Sequence, residues 1–298
     1  MRSPTQLQLQ ESDIAALLGE PVTGAVELSG GGFATVWRAT LADGRDVVVK
    51  IGPPATARLL GYESGMLAAE ADYFRLVREQ APGVPVPEVL RSGDNWLVTT
   101  LLPGQTLLDG PDNDPVREQL GAAMAQLHRI SGPHFGYPGG RASGADWPTA
   151  FGAILDGLRA DAAAWNVPLP DLDGLVERHH DRLAQVTRPA LVHFDLWDGN
   201  ILCVGDRLTG VVDGERYLYG DPLVDFVSPA VLRRIEDEPG NPFVRGYGPV
   251  ELDSVRLGLY RVFLYVLMIA EGPSRAIPVG GPRHEYVTGL LNEELARL

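Results

Sequence analysis

Asp195, Asn200 and Asp213 are the side chains whose types and spacing can do chemistry in this chain. The first two lie five residues apart in Leu191-Val192-His193-Phe194-Asp195-Leu196-Trp197-Asp198-Gly199-Asn200-Ile201-Leu202, a polar loop between apolar pairs. Asp213 closes the β-like run Gly210-Val211-Val212. One carboxylate can orient or deprotonate a hydroxyl, while an amide oxygen and a second carboxylate hold the magnesium that neutralises a triphosphate. The pattern therefore points to a kinase acting on a small molecule. Asp195 is the expected catalytic carboxylate, fixed by its apolar neighbours, and Asn200 and Asp213 are the expected metal ligands.

Such a site needs a cation for the phosphates. Lys50 ends the apolar run Val47-Val48-Val49, and a glutamate on the next helix would orient it: Glu70, with Glu63 in reserve. Ser29-Gly30-Gly31-Gly32-Phe33 sits between two strand-like runs, where glycines let backbone amides approach phosphate. No Gly-Lys-Ser/Thr follows, so this is not a Walker loop. Backbone groups of Thr100 and Leu102, just before Pro103-Gly104, are placed to pair with a nucleotide base. His193 is expected to hold the loop, and Asp221 and Asp225 to cap or anchor it. Trp197, Asp198, Glu215, Tyr260 and Glu271 are the expected lining of the acceptor pocket, with Arg216 an alternative partner for Glu215.

These residues must be brought together by the elements around them. The pattern predicts a short helix over 12–19, strands over 25–28, 34–40 and 46–51, and an Asp43-Gly44 turn between the last two. A helix over 62–80, with apolar residues at helical spacing, precedes strands at 89–90 and 96–100. Beyond Pro103-Gly104 the chain turns helical: 116–130, 147–165, 172–186, and a strongly apolar last helix over 255–271. The expected architecture is α+β with two lobes sharing a cleft, a β-rich nucleotide-binding lobe over 1–102 and a helical catalytic and acceptor-binding lobe over 103–298.

Composition narrows the partners. Acidic residues number 39 against 25 basic ones, a formal charge of −14 over 298 residues. That balance repels nucleic acid and anionic membranes and favours a cationic acceptor, within a screening length of about 10 Å. Cys203 is the single cysteine, so no intrachain disulfide or cysteine metal cluster can form. The polar first twenty residues lack a signal-peptide core, and the run 262–270 is too short to span a bilayer, so a cytoplasmic location is expected.

Taken together, the motifs resemble the aminoglycoside phosphotransferase and fructosamine kinase group, relatives of the protein-kinase fold. The resemblance covers nearly the whole chain: the Gly-rich turn, Lys50, the Glu70 helix before Val84-Pro85-Val86-Pro87, Leu101-Leu102-Pro103-Gly104, Leu127-His128, the 193–200 block, Asp213, and Gly220-Asp221-Pro222 with Asp225. It implies a protein-kinase-like two-lobe fold and ATP- or GTP-dependent phosphorylation of a hydroxyl on a sugar, aminoglycoside or glycated amine, with magnesium. Asp195-Leu196-Trp197 is similar to the run in fructosamine kinases. Phe194 stands where many members have Gly, and Gly214 where many have Trp; both departures are expected to reshape the acceptor pocket. A protein kinase is disfavoured because neither Asp-Phe-Gly nor Ala-Pro-Glu occurs. A non-catalytic nucleotide sensor is disfavoured because Lys50, Asp195, Asn200 and Asp213 are all present.

Overall fold

The computed structural model describes residues 2–29 and 31–298. Helix α1 (Glu11–Leu18) is followed by strands β1 (Val22–Glu27), β2 (Thr35–Leu41) and β3 (Asp46–Ile51), helix α2 (Met66–Gln80), and strands β4 (Val89–Gly93) and β5 (Trp96–Thr100). The strands form one antiparallel sheet in the order β1-β2-β3-β5-β4. Side chains along a strand alternate faces, and β3 puts that alternation to use. Val47 and Val49 pack with Ile14 and Leu18 of α1 in an outer core, so Lys50 is turned to the opposite face. The β2–β3 hairpin turns at Asp43-Gly44, where Gly44 takes φ +84°, a conformation that costs glycine nothing.

Beyond Pro103-Gly104 come β6 (Gln105–Thr106), α3 (Asp114–Leu127), β7 (Phe135–Gly136), β8 (Ser143–Gly144), α4 (Trp147–Ala164), α5 (Leu175–Arg178) and α6 (His180–Leu183). Strands β9 (Ala190–Val192), β10 (Ile201–Val204), β11 (Arg207–Val211) and β12 (Leu218–Gly220) then bracket the segments that carry Asp195, Asn200 and Asp213. Helices α7 (Pro242–Tyr247), α8 (Ser254–Ala270) and α9 (Pro282–Arg297) close the chain. Two small sheets, β11-β10-β6 and β8-β7-β12-β9, carry the loops of the cleft. Helix α8 is buried on almost every face and forms the centre of a single large core that also takes in α2, α3 and α4. A β-rich first lobe on a helical second lobe is the α+β, kinase-like arrangement expected.

Two expectations need correction. The segment 172–186 is two one-turn helices rather than one, interrupted at His179 (φ −112°, ψ 15°). Gly174 takes the left-handed conformation at φ +67°, so the first turn starts only at Leu175, and the buried Leu172 and Val186 lie outside both turns. The helix over 255–271 is not the last: α9 follows, starting at Pro282 in its first turn and burying Val287 and Leu291. Its composition is polar enough to hide a narrow apolar stripe. Among the described residues no helix is long and apolar enough to cross a membrane.

Candidate active site

The loop after β9 is held by buried polar groups. Asp225 is fully buried and accepts hydrogen bonds from the His193 amide (2.9 Å) and the Phe194 amide (2.6 Å), with His128 Nε2 3.0 Å away. Ser228 Oγ accepts from the Leu196 amide at 3.0 Å. Phe194 adopts φ +70°, a region a bulky residue enters only at a cost. Its ring is stacked on Phe263 of α8, with centroids 4.2 Å apart and planes 4° from parallel. That stacking inside the core explains how phenylalanine is tolerated in this left-handed conformation. Phe194 is buried in the core and so does not itself line an acceptor pocket. Gly214 likewise faces the core, since a Cβ there would meet the Tyr73 ring at 2.2 Å.

His193 does what the sequence suggested. The Asp195 amide donates to its Nδ1 (3.1 Å), which leaves Nε2 to donate to the Val212 carbonyl at 3.1 Å. Burial holds its pKa below the usual histidine range, so the ring is neutral and this tautomer is enforced. Asn200 donates from Nδ2 to the Asp195 carbonyl (2.9 Å), and its own carbonyl accepts from the Val212 amide (3.0 Å). Two loops are thereby stitched together, and Asn200 keeps its amide oxygen for a ligand. Asp213 follows Val212 in the left-handed region at φ +62°.

Lys50 reaches Asp213 from the other side of the cleft and also donates to Glu70 at 2.5 Å. Burial by itself would discharge Lys50, but Asp213 and Glu70 outweigh it and hold the ammonium charged. Asp213 stays ionised for the same reason: burial opposes its charge and Lys50 overrides it. Glu70 is fully buried, and burial raises it. Glu215 joins Glu70 and Asp213 in a cluster whose carboxylate oxygens lie within 4.8 Å of one another. Neither Glu70 Oε2 nor Glu215 Oε2 has a hydrogen-bond partner among the described residues. Three carboxylates face one ammonium, so the site lacks positive charge.

Asp195 presents its carboxylate beside Arg216, whose Nη1 is 3.8 Å from Oδ2. Burial pushes the Asp195 carboxyl up to about 7, against the pull of Arg216. Arg216 also donates to Glu271 at 2.9 Å. Tyr62 donates to the same oxygen at 2.8 Å, and Arg275 approaches it at 3.6 Å while pairing with Glu63 at 2.6 Å. Glu63, the reserve partner for Lys50, thus belongs to a different network.

Several expected acceptor residues are otherwise engaged. Asp198 forms a two-pronged ion pair with Arg117 of α3 (both contacts 2.8 Å) and is not free for a substrate. Tyr260 is fully buried, its hydroxyl donating to Asp221 (2.6 Å) and accepting from Trp147 Nε1 (2.8 Å), so it lines no pocket. Glu215 clusters with Glu70 and Asp213 and makes no ion pair with Arg216 among the described residues, and Glu271 is occupied by Arg216 and Tyr62. Trp197 remains partly exposed at 37%.

On the nucleotide side, the Thr100 amide is spent on the Glu88 carbonyl at 3.0 Å, which leaves it no N–H to offer a base. Leu102 makes no backbone hydrogen bond among the described residues. In the Gly-rich turn, Ser29 is exposed and Gly31 takes φ +67°. The Gly32 carbonyl accepts from Ser3 (2.6 Å) and Thr5 (2.8 Å), and Gly30 lies outside the described residues. Asp221 and Asp225 are structural, as expected: Asp221 receives Tyr260 and the Leu223 amide and pairs with Arg256.

Arg216 stands in the site, although the sequence suggests it only as a partner for Glu215; its place three positions after Asp213, on the single turn Gly214–Arg216, is the available signal.

The family profile described as "Phosphotransferase enzyme family" matches residues 25–257, and the chain belongs to that family. A protein named probable ketoamine kinase from Thermus thermophilus is 32% identical over 186 residues, covering 59% of this chain and 62% of the relative. The chain thus aligns with less than two thirds of that relative's length. A candidate fructosamine-3-kinase from Thermobifida fusca superposes with a TM-score of 0.69 at 22% identity, over 96% of this chain and 98% of the other. A thermostable variant of an aminoglycoside phosphotransferase, in ternary complex with ADP and hygromycin B, superposes with a TM-score of 0.61 at 19% identity, over 96% and 97%. Likeness at these identities is a likeness of fold.

Proposed function

We propose that this protein is a small-molecule kinase that transfers the terminal phosphoryl group of ATP or GTP to a hydroxyl of a sugar, aminoglycoside or glycated-amine acceptor. The observation that carries the reading is that Lys50 pairs with Asp213 across 163 positions of chain, while the Asn200 side chain is tied to the Asp195 carbonyl and the Asn200 carbonyl to the Val212 amide beside Asp213. Asp195 is the acceptor-facing base, and burial keeps its pKa close to working pH, where a base is most effective. Lys50, oriented by Glu70, contacts the phosphates. Residues 1–102 form the nucleotide lobe, with the Gly-rich turn (Ser29, Gly31, Gly32) over the phosphates and Leu102 pairing with the base. Residues 103–298 form the catalytic and acceptor lobe.

Asn200 and Asp213 would hold magnesium. The excess of carboxylates around Lys50 and the unpartnered oxygens of Glu70 and Glu215 fit a hard cation there. When bound, the ion supplies charge neutralisation for the outer phosphates. The names of the Thermus and Thermobifida relatives favour a ketoamine or fructosamine as acceptor, and the aminoglycoside phosphotransferase supports a cationic sugar. The test is ADP release with a panel of glycated amines, amino sugars and sugars, comparing the wild type with Asp195→Ala. Acceptor-dependent release that falls by on the order of 10²–10⁴ in the variant supports the reading. Saturable nucleotide binding with no turnover on any acceptor would favour a nucleotide sensor instead.

A further inference from the structure

Arg216 is the unassigned charge in this cleft. Its Nη1 approaches Asp195 Oδ2 at 3.8 Å, too long for a hydrogen bond, while Nη2 is held by Glu271 at 2.9 Å. Its Nε is buried with no partner among the described residues. Arg216 ends the single turn Gly214–Arg216 that begins at Asp213, so its guanidinium stands beside the acceptor-facing carboxylate and close in the chain to the metal-facing one. The other cations nearby are committed. Lys50 is bound by Glu70 and Asp213, Arg275 is bound by Glu63 and Glu271, and Arg141 donates to the carbonyls of Tyr62 and Ser64.

A phosphoryl group moving from a nucleotide toward an oxygen held at Asp195 must cross the space between those two carboxylates. Charge spreads over its three equatorial oxygens on the way, and a fixed cation there acts where it is most needed. A guanidinium suits the task because it offers several donors in a plane and stays charged. Glu271, itself held by Tyr62, fixes Nη2 of the guanidinium and leaves Nη1 beside Asp195.

We propose that Arg216 is a catalytic residue, an arginine supplied from within the chain that contacts the phosphoryl group in transit, with Glu271 as its positioning residue. The inference rests on the kinase reading above. In the step, the acceptor oxygen forms a bond to phosphorus as the bond from phosphorus to the nucleotide's bridging oxygen breaks. The departing nucleoside diphosphate keeps the electron pair, the hydroxyl proton passes to Asp195, and Arg216 gains and loses nothing.

The experiment compares wild type, Arg216→Met, Arg216→Lys, Asp195→Asn and the double variant Arg216→Met/Glu271→Gln. The double variant removes the carboxylate that Arg216→Met would strand, so misfolding of the single variant does not end the test. ADP affinity is measured by calorimetry with magnesium, with and without aluminium fluoride, which mimics the planar phosphoryl group and requires no known acceptor. We expect ADP alone to bind all Arg216 variants within about threefold of wild type. The tightening caused by aluminium fluoride should fall at least about tenfold in Arg216→Met and in the double variant, and less in Arg216→Lys. With a working acceptor, kcat should fall about 10²–10³-fold with acceptor KM nearly unchanged. Retention of the fluoride-dependent tightening, or a loss confined to acceptor KM, overturns the proposal. If wild type shows no tightening and Asp195→Asn abolishes no turnover, the kinase reading fails and takes this one with it; if only the Arg216 variants behave like wild type, the kinase reading stands and this inference falls.

Discussion

Replacing Asp195 with asparagine should make the protein more stable, and the gain should depend on pH in a definite direction. Asp195 is held in the fold with its pKa raised from the ordinary 3.8 to about 7, chiefly by burial. Below about pH 4 the carboxyl is neutral in both folded and unfolded chains and costs nothing. Between these values the folded state binds the extra proton, so stability falls as pH rises, and above about pH 7 the full cost of a buried anion is present. A separation of about 3 pH units corresponds to about 4 kcal/mol. The side chain is 20% exposed, and solvent screening reduces the expected gain to about 1–3 kcal/mol. Asparagine preserves the shape and carries no charge. Urea denaturation of wild type and Asp195→Asn, from pH 4 to 8.5 with chelator present, gives the difference curve directly. It should lie near zero at pH 4, climb through pH 5–7 and level off above. A flat curve, or one that is largest at acid pH, would refute the reasoning. In the wild type, kcat/KM should fall on the acid side of about pH 7 as the same group takes up its proton.

Lys50→Met should destabilise the fold by about 3–5 kcal/mol, because it leaves Glu70 buried without its cation. Lys50→Met/Glu70→Gln should recover most of that stability in thermal denaturation while nucleotide turnover stays lost. Phe194→Gly relieves a left-handed backbone but surrenders a buried ring stacked on Phe263, so a net loss of about 2–3 kcal/mol is expected by urea titration. Tyr260→Phe should cost about 1–2 kcal/mol through the lost bonds to Trp147 and Asp221 and leave acceptor KM unchanged; a shifted KM would return Tyr260 to the acceptor pocket. Asp198→Asn should weaken the tie to Arg117 and lower stability without the acceptor-dependent change that a cation-binding carboxylate would show.

Local patterns determined a good deal of this protein. The alternation in Val47-Val48-Val49-Lys50 fixed which face Lys50 must take once one side of the strand was buried, because side chains on a strand alternate. The spacing of Asp195, Asn200 and Asp213 was legible because a loop between two short strands brings such positions together without help from distant chain. Helix α9 and the break at His179 were not legible, since each depends on how much apolar surface the rest of the core offers.

Partner choice among charged side chains was decided only by the tertiary structure. Asp198, Tyr260 and Glu271 all have the chemistry of an acceptor pocket, and nothing local says that Arg117, Trp147 or Arg216 will reach them first. Glu271 and Arg216 are separated by 55 positions in the chain and meet only because α8 runs through the core and ends beside the cleft. Electrostatic pairing acts through space over a few ångströms, whereas sequence patterning reports burial a few residues at a time. The fold class and the proposed reacting carboxylate follow from the second; which charges remain free to act on a substrate follows from the first.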